Sequence, residues 1–413
     1  MLTIGDELLS GEVVDTNFRY IVEAVSSLGL IVVEHSTVAD DEAVIAAAVE
    51  RLAVLSAVLV VTGGLGPTSD DLTREGVARA AGVPLVRHPH IEEKLKSFFS
   101  SLGREMVREN LKQALLPEGA ALIPVTRGTA PGFMMDVGGC LVAAIPGVPS
   151  EMAGMLRSHV LPAIESKLRG AQVTETRKIM TFGRGESDIA AMVADRIEAG
   201  GARYGFLALN GSIAVKLTVR APTFEEARAK LDAEEAVLRK KLGNLVYAIG
   251  DDPMEKVLGR MLKKRGMTLA VAESCTGGMV CACMTNIPGS SDYFPGGAVT
   301  YTPRSKASLL GVPQELLLKG AVSRPVAEAM ARGVRHVYSS DIGVAITGVA
   351  GPGTGGEEIP LGTVCFGLAD SAGVHSYEAR LPGDRAMVRA IATAGALNAV
   401  RLHLLGVDGV VPH

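Results

Sequence analysis

The sequence predicts a multidomain α/β protein, and three observations support this prediction. The chain has 413 residues, which is long enough for two or three domains. Short apolar runs alternate with amphipathic segments near both ends of the chain, a pattern typical of β-α-β units with a mostly parallel sheet. The alternation breaks between about residues 170 and 248, where a smaller α+β unit is expected. We therefore predict domains at residues 1–168, 169–250 and 251–413.

The first domain shows the alternation in its first half. Residues 31–34 and 57–62 are predicted strands, and residues 41–53 and 71–81 are predicted helices. Helices placed between parallel strands cover both faces of such a sheet. Because few residues precede Gly5, we expect a short first strand that loses ladder partners inside the sheet.

The middle region has a different order of elements. Residues 178–182 and 213–220 are predicted strands, and residues 186–199 and 224–242 are predicted helices, the second long and charged. No Gly-x-x-Gly clamp lies between helices, so we do not expect this region to bind RNA. The Gly-Asp-Asp-Pro sequence at residues 250–253 predicts a linker to the last domain.

A serine follows an apolar run in the last domain. Residues 267–272 are a predicted strand, residues 278–284 are a predicted helix, and the turn between them contains Ser274. A serine at such a turn is lifted off the sheet, beside free amides of the helix N-terminus that can hold developing negative charge. Ser274 is therefore a candidate nucleophile. The alternative is a serine that caps the helix or shapes the turn.

A serine nucleophile needs a base, and the best candidates lie on the next predicted strand and helix. Residues 297–301 are a predicted strand that ends at Tyr301, and a helix begins near residue 305 with Lys306 in its first turn. The four histidines beyond position 250 have no evident acidic partner, which favours a Ser–Lys–Tyr arrangement over a Ser–His one. The alternatives are a solvated surface lysine and a half-buried strand tyrosine.

A glycine-rich loop follows the predicted strand at residues 342–347. It includes Thr347 and Gly348, and it precedes another predicted strand at residues 361–368. Glycines let backbone amides approach a phosphate or a ribose closely, and ligands of α/β sheets bind at the carboxyl ends of strands. A flexible loop without a ligand is the alternative.

Another glycine loop follows the strand predicted at residues 57–62. It contains Gly63, Gly64 and Gly66, and Asp70 and Asp71 follow in the first turn of a predicted helix. Glycine amides and a helix dipole favour a phosphate, and the two carboxylates suit a divalent cation that also binds phosphate oxygens. The alternative is that both acids only complement the helix dipole.

Composition argues against several classes of protein. The formal net charge is −4, Trp is absent, and there are 9 Phe and 7 Tyr, so we expect neither a basic nucleic-acid footprint nor a base-stacking platform. The five cysteines are odd in number and include no C-x-x-C pair, which indicates a reducing compartment without disulfides or structural zinc. With no signal peptide and no apolar run long enough for a bilayer, we expect a cytoplasmic protein without a membrane partner.

Four motifs of the last domain resemble one known family. They are AESCTGG at 272–278, VTY with a later lysine at 299–306, ITGVAGP at 346–352 and PGDR at 382–385. The combination is similar to the C-terminal domain of the CinA family, the nicotinamide-nucleotide amidohydrolases also called PncC. The resemblance implies an α/β deamidase domain, without a cofactor, that hydrolyses the carboxamide of nicotinamide mononucleotide (NMN) to nicotinic acid mononucleotide and ammonia.

This resemblance also implies roles for individual residues. Ser274 would be the nucleophile, and Lys306 and Tyr301 would be the proton-handling pair. Cys275 would be a bystander beside the nucleophile, although a cysteine mechanism competes with the serine one because both residues share the helix start. The implied substrate-binding residues are Thr276, Gly277, Gly278, Thr347, Gly348 and, as a weaker phosphate candidate, Arg385.

The start of the chain resembles a second fold. GDELLSG at 5–11, DTN at 15–17 and GGLGPTSDD at 63–71 are similar to the molybdopterin-binding fold of the MoaB and Mog proteins, a three-layer α/β domain. In CinA proteins this domain is associated with a metal-dependent ADP-ribose pyrophosphatase activity. The resemblance implies nucleotide contacts at the glycine loop and a divalent metal at Asp71 and Asp70. Glu7 and Asp15 are lesser candidates for the metal.

The middle region resembles the KH-type domain of full-length CinA proteins. Together, the resemblances imply a bifunctional enzyme of pyridine-nucleotide salvage that forms a homodimer. Two rivals stay open. The family name records competence and DNA damage, which suggests a non-catalytic accessory protein, although a DNA-associated protein would usually show a basic face. The second rival makes the N-terminal hydrolase the main activity.

Overall fold

The computed structural model describes residues 1–168, 170, 172–209, 211–354, 356 and 358–407. These residues form two compact units. One contains Met1–Glu175 with Arg220–Ala227, and the other contains Thr176–Val219 with the described residues from Arg228 onward. Both units combine β-sheets with packed helices, which confirms the predicted α/β fold class. The three domain boundaries given above stay predictions.

The first unit is a mixed sheet with helices packed on it. Its strands are β1 (Leu2–Ile4), β2 (Ser36–Val38), β3 (Val58–Thr62), β4 (Leu85–Arg87), β5 (Leu115–Pro117), β6 (Ala121–Ile123), β7 (Gly132–Val137) and β8 (Cys140–Ile145). Its helices are α1 (Asp6–Leu9), α2 (Thr16–Ser26), α3 (Glu42–Leu55), α4 (Thr73–Ala81), α5 (Pro89–Ser101), α6 (Pro149–Met155) and α7 (Leu161–Lys167). The main sheet has the order β2-β1-β3-β8-β7-β6, and its first four strands are parallel. β4 and β5 pair separately.

Hydrophobic residues on both faces of β3 fix the position of this sheet. Leu59 and Val61 pack in a core cluster with α3, whereas Val60 packs in a second cluster with α2 and α6. A central parallel strand is apolar on both faces because helices cover both. Asp41 begins α3 by accepting hydrogen bonds from the amides of the first helical turn.

One prediction for the start of the chain is wrong. Residues 31–34 do not form a strand, which begins only at Ser36. β1 is short, as expected. It pairs in parallel with β2 along its whole length but with only Val61 and Thr62 of β3, so the first three residues of β3 have no partner in β1.

The second unit contains two further sheets, although the start of β9, the end of β11 and the start of α10 fall in the first unit. Its strands are β9 (Val173–Phe182), β10 (Arg203–Leu209), β11 (Ser212–Ala221), β12 (Val246–Ile249), β13 (Leu269–Glu273), β14 (Gly296–Val299), β15 (Ile342–Gly348), β16 (Thr363–Ala369) and β17 (Val374–Arg380). Its helices are α8 (Glu186–Met192), α9 (Ala194–Ala199), α10 (Phe224–Leu242), α11 (Met254–Arg265), α12 (Met279–Thr285), α13 (Pro303–Leu310), α14 (Gln314–Leu317), α15 (Arg324–Val337) and α16 (Arg385–Leu404). The sheet orders are β10-β11-β9-β12 and β14-β13-β15-β16-β17.

The five-stranded sheet positions the candidate site. β14, β13 and β15 are parallel, so their carboxyl ends meet at one edge of the sheet. Alternate residues of β13 face opposite sides: Leu269 and Val271 pack with α11, α12 and α16, whereas Ala270 and Ala272 pack with α13 and α15. Loops and helix ends from both faces therefore converge where β13 ends.

Three glycines let α15 lie very close to its neighbours. A Cβ atom built on Gly343 of β15 would lie 2.2 Å from the Ala331 carbonyl oxygen of α15, and one on Gly367 of β16 would lie 2.2 Å from that of Ala327. A Cβ atom on Gly333 of α15 would lie 2.1 Å from the carbonyl oxygen of Leu310, the last residue of α13. We call Gly333, Gly343 and Gly367 the glycine seam. Larger residues at the seam would force these elements apart.

Within the described part of the chain, no helix combines the length and apolar character needed to cross a membrane.

Candidate active site

Ser274 lies directly after β13, in the turn that leads to α12. Its side chain is nearly buried, with 7% of the residue exposed, and its amide donates a hydrogen bond of 2.9 Å to the carbonyl of Ile346 on β15. The turn is thus fastened to the neighbouring strand. Ser274 has little freedom to move away from the end of the sheet.

Lys306 is brought to this serine from the first turn of α13. Only 1% of the residue is exposed, and Nζ donates hydrogen bonds of 2.8 Å to Ser274 Oγ and of 2.8 Å to the carbonyl of Thr300. The helix start is fixed by reciprocal hydrogen bonds between Thr302 and Ser305, so Lys306 enters the site from a rigid turn. A solvated surface lysine does not describe this side chain.

The turn that contains Ser274 is held from one side by a carboxylate. Glu273 is fully buried, and its side chain accepts hydrogen bonds from the amides of Gly278, Val280 and Cys281 at 2.9, 3.2 and 2.8 Å. These are orphan amides at the start of α12, and an anion at that position is favourable. Glu273 therefore joins the end of β13 to the start of α12.

Two of the three predicted oxyanion amides are already occupied. The amide of Gly277 donates to the carbonyl of Ser274 at 3.1 Å, and the amide of Gly278 donates to the Glu273 carboxylate at 2.9 Å. Of the three amides expected to hold the developing charge, Thr276, Gly277 or Gly278, the last two thus have protein acceptors and Thr276 is the candidate that remains. No carbonyl or carboxylate of the described residues accepts from the amide of Thr276, which lies beside the thiol of Cys275 and lowers its pKa. Gly277 and Gly278 are instead needed for their backbone angles, φ 61° and 98°.

Arg389 holds the same turn from the other side. Its Nε donates to the carbonyl of Cys275 at 3.0 Å, and its Nη2 donates to the carbonyl of Thr276 at 2.9 Å. Arg389 lies on α16, more than a hundred residues along the chain from the turn, and the sequence motifs did not indicate it.

Tyr301 lies outside the buried pair. The residue is 57% exposed, and its hydroxyl accepts a hydrogen bond of 3.1 Å from Arg385. The alternation of β14 continues for two residues past its end at Val299, so Thr300 is buried and Tyr301 is exposed. The structure places Tyr301 with Arg385, which also donates to the carbonyl of Gly351 in the glycine-rich loop at 2.8 Å. The predicted hydrogen-bonded Ser–Lys–Tyr arrangement is therefore reduced to a Ser–Lys pair.

Thr347 and Gly348 have packing roles in this structure. The hydroxyl of Thr347 donates to the carbonyl of Ala321 at 2.9 Å, and the residue is fully buried. A Cβ atom on Gly348 would lie 2.8 Å from a methyl group of Val364 on β16. Neither residue presents a free group for ribose or phosphate, so that prediction is not supported. In the loop that follows, Gly355 lies outside the described residues.

Cys275 is a poor nucleophile despite its position. Burial raises the pKa of its thiol to about 11, and the nearby amides and the charge of Lys306 offset this only in part. A thiol with such a pKa is almost entirely protonated at neutral pH. The serine is therefore the better nucleophile of the two neighbours.

The first unit has a cleft of about 570 Å³ at the carboxyl ends of β1 and β3. Gly63, Gly64 and Gly66 line it, and the amides of Gly63 and Gly66 already donate to the carbonyl of Ile145 and to the carboxylate of Asp71 at 3.3 and 2.7 Å. Its carboxylates are those of Glu7, Asp15, Asp40, Asp70, Asp71 and Glu151, and no Lys or Arg is among the described lining residues.

Asp71 shapes the glycine loop at this cleft. One carboxylate oxygen accepts from the amide of Gly66 at 2.7 Å, and the other accepts from the amide of Thr68 at 2.8 Å and from its hydroxyl. Arg74 fixes the loop from beneath: it is fully buried and donates to the carbonyls of Leu65 and Gly66 at 2.6 and 3.3 Å. Burial lowers the pKa of Arg74 to about 10, so it still carries its charge at neutral pH.

The electrostatics of the cleft favour a cation. Burial raises the pKa of Asp40, and the negative charges of Asp6, Glu7 and Asp70 raise it further against one opposing backbone hydrogen bond. Burial also raises the pKa of Glu151. Within the described residues, no three His, Cys, Asp or Glu side chains are grouped closely enough to hold a metal alone. Mg²⁺ is commonly bound by one or two carboxylates together with substrate phosphates and water, so this cleft suits such a shared site.

Comparison with known proteins assigns the whole chain. Residues 1–166 match the model of a probable molybdopterin binding domain, residues 176–248 match the damage-inducible protein CinA KH domain, and residues 251–404 match the CinA C-terminal domain. A CinA-like protein of Geobacter sulfurreducens is 43% identical over 406 residues, which cover 98% of each chain. The chain belongs to the CinA family.

Other similar proteins carry CinA-type names. A putative competence-damage inducible protein of Moorella thermoacetica is 40% identical to this CinA chain over 394 residues, 95% of each. The crystal structure of the competence/damage inducible protein CihA from Agrobacterium tumefaciens is 35% identical, with a TM-score of 0.35, and covers 37% of this chain and 97% of that one.

Three residues of this CinA protein lie at the two sites without having been predicted. Glu273 directly precedes Ser274 in the sequence. An acidic residue shortly before a predicted helix is favourable at the helix N-terminus, so its capping role could have been predicted. Arg74 lies three residues after Asp71, and no feature of the surrounding sequence indicates that its cationic side chain is buried. Arg389 lies one helical turn after Arg385, on the same side of α16, which was the available clue.

Proposed function

We propose that this CinA-family protein hydrolyses the carboxamide of NMN, giving nicotinic acid mononucleotide and ammonia. The observation that supports this best is the buried contact of 2.8 Å between Lys306 Nζ and Ser274 Oγ. A serine paired with an amine base is one of the arrangements that catalyse acyl transfer without a metal.

The proposed reaction follows the usual order for a serine amidase. Lys306, in its neutral form, takes the proton of the Ser274 hydroxyl as Oγ bonds to the carboxamide carbon. The negative charge on the carboxamide oxygen is held by the amide of Thr276. The proton passes to the departing nitrogen, the C–N bond breaks and ammonia leaves. Water, deprotonated by Lys306, then cleaves the ester and restores Ser274.

Substrate binding in this proposal uses Arg385. Its guanidinium lies beside Tyr301 and the glycine-rich loop, is exposed, and can form charge-assisted hydrogen bonds to the phosphate of NMN. Tyr301 would then contact the substrate beside Arg385 and would have no part in proton transfer.

The test is ammonia release from NMN by the purified protein and by Ser274→Ala. We expect ammonia release from the wild type and a loss of about a thousandfold or more in the variant, with its fold unchanged by circular dichroism. Ammonia release within about tenfold of wild type would exclude Ser274 as the nucleophile. Mass spectrometry should detect an ester on Ser274 after rapid acid quenching.

A second activity, hydrolysis of ADP-ribose by the first unit, is favoured by the acidic cleft. We propose that Asp70 and Asp71 hold a divalent cation there, together with phosphate oxygens and water. Such a cation, when bound, neutralises the diphosphate of the substrate and polarises its phosphorus–oxygen bonds. The glycine loop, fixed by Asp71 and Arg74, lines the cleft in which the diphosphate would bind.

The measurement for this second activity is release of AMP from ADP-ribose, assayed beside ammonia release on the same preparation. AMP without ammonia would make the N-terminal hydrolase the main activity. Neither product would favour the non-catalytic accessory protein in competence or DNA damage.

A further inference from the structure

Two carbonyl groups of the nucleophile turn are held by one guanidinium. Arg389 donates to the carbonyls of Cys275 and Thr276 at 3.0 and 2.9 Å. We propose that Arg389 is a positioning residue that aims the amide of Thr276 at the carboxamide oxygen of the substrate. This inference rests on the proposed amide hydrolysis and concerns how the same site stabilises its transition state.

The geometry of a peptide bond sets the direction of this amide. In a trans peptide the N–H and the C=O point in opposite directions. The carbonyl of Cys275 and the amide of Thr276 belong to the same peptide unit. Because Arg389 holds that carbonyl, the N–H of Thr276 points away from Arg389.

The two faces of the sheet show where the N–H then points. Arg389 comes from α16, which packs on the face that carries Leu269 and Val271, whereas Lys306 comes from α13 on the opposite face. The turn lies between them. An amide directed away from Arg389 is therefore directed toward the side on which Lys306 contacts Ser274.

The acceptors of the neighbouring amides narrow this role to Cys275 and Thr276. The amides of Ser274, Gly277 and Gly278 donate to the carbonyls of Ile346 and Ser274 and to the carboxylate of Glu273. Of the two that remain, the amide of Thr276 belongs to the peptide unit whose carbonyl Arg389 holds. A donor aimed at the developing charge before reaction accelerates acyl transfer, because no reorganisation is needed in the transition state.

The charge of Arg389 adds polarisation to this orientation. Both of its hydrogen-bond partners are neutral carbonyls, and no carboxylate in the described part of the chain forms an ion pair with it. A cation bound to the carbonyl oxygen of a peptide unit increases the partial positive charge on the N–H of the same unit, because linked hydrogen bonds polarise one another. The amide of Thr276 thus becomes a better donor to an oxyanion than an isolated peptide.

The inference is tested with Arg389→Met and Arg389→Lys, using steady-state ammonia release from NMN. Removal of an oxyanion donor lowers kcat by about 10²–10³-fold. In Arg389→Met the amide of Thr276 is still present but no longer held in its direction, so kcat should fall by a smaller factor, about ten- to a hundredfold. KM should change less than about threefold, because Arg389 contacts only the protein backbone. Lysine cannot bridge two carbonyls as a guanidinium does, so Arg389→Lys should recover only a small part of the rate.

Chemical rescue provides a further test. Added guanidinium chloride, below the concentration that unfolds the wild type, should raise kcat of Arg389→Met and leave that of the wild type unchanged.

Two matched variants separate the possible outcomes. Arg385→Met removes the arginine one turn earlier on α16 and should raise KM rather than lower kcat, whereas Arg332→Met on α15 should behave as wild type. The inference is overturned if Arg389→Met keeps kcat within about twofold, or if it changes only KM. Absence of ammonia release from the wild type would instead overturn the proposed function. If Arg389→Met fails to fold, Arg389→Lys decides: kcat equal to wild type contradicts the inference, and a lower kcat with unchanged KM supports it.

Discussion

The two candidate sites of this protein differ most in the source of their positive charge. At the end of the C-terminal sheet, the cations Arg385 and Arg389 come from the chain itself, and the carboxylate of Glu273 is bound to three amides. In the N-terminal cleft, six carboxylates face a volume of about 570 Å³ without a Lys or Arg among the described lining residues.

This difference indicates how each site can treat an anionic nucleotide. For the proposed amide hydrolysis, the C-terminal site carries the cations and hydrogen-bond donors that the phosphate and the oxyanion would need. The N-terminal cleft repels an anion unless cations are supplied from solution, since burial and neighbouring charges already raise the pKa of Asp40. The comparison therefore predicts one site that is indifferent to chelators and one that depends on divalent metal.

The largest expected effect is the loss of the built-in base. Lys306→Met removes the amine and keeps most of the side-chain volume, so ammonia release should fall by about a thousandfold or more. The double variant Ser274→Ala with Lys306→Met should be no slower than either single variant, because the two groups act in one step. If the losses of the two single variants multiply in the double variant, Ser274 and Lys306 act in separate steps. Urea unfolding is the control: leaving the Thr300 carbonyl without its donor should cost about 1–3 kcal/mol, which the fold should tolerate.

Removal of divalent metal should separate the two sites. Excess EDTA should abolish AMP release from ADP-ribose and leave ammonia release from NMN unchanged within about twofold. Asp70→Asn and Asp71→Asn form a matched pair, because only Asp71 also holds the glycine loop through Gly66 and Thr68. Asp70→Asn should weaken metal dependence alone, and Asp71→Asn should also destabilise the loop. If AMP release persists in EDTA, the N-terminal site does not depend on divalent metal, and the predicted difference between the two sites is wrong.

The smallest expected effect concerns Cys275. Cys275→Ala should keep ammonia release within about threefold, because the thiol has no role in the proposed reaction. With a pKa near 11, the thiolate fraction rises about tenfold per pH unit below that value. Alkylation of Cys275 by iodoacetamide, followed by mass spectrometry, should therefore be slow at pH 7 and still accelerating at pH 10. Rapid alkylation at pH 7, together with an inactive Cys275→Ala variant, would identify Cys275 rather than Ser274 as the nucleophile.

The strand–turn–helix around Ser274 and the helix that carries Lys306 could be predicted because their signals are local. An apolar run, a glycine pair and a proline at a helix start specify these elements from adjacent residues. Parallel pairing of β13 with β14 then brings Lys306 to Ser274. The α/β class, including the long helix Phe224–Leu242, was predictable for the same reason.

The remaining features depend on contacts that no local pattern encodes. The outward position of Tyr301 depends on the register of β14, whose alternation of buried and exposed residues continues through Thr300, and a shift of one residue would exchange the two side chains. Arg389 meets Cys275 only because α16 folds back over the sheet. Strand β10, Arg203–Leu209, was missed because its sequence lacks polar–apolar alternation.

The glycine seam has a consequence for how this family evolves. Gly333 touches the end of α13, one turn after Lys306, so an added methyl group there would push α13 away and lengthen the amine–hydroxyl contact. Selection on Ser274 and Lys306 must then extend to positions that never meet substrate. A CinA protein that keeps the nucleophile and the base but carries a larger residue at the glycine seam would therefore be inactive despite an intact catalytic pair.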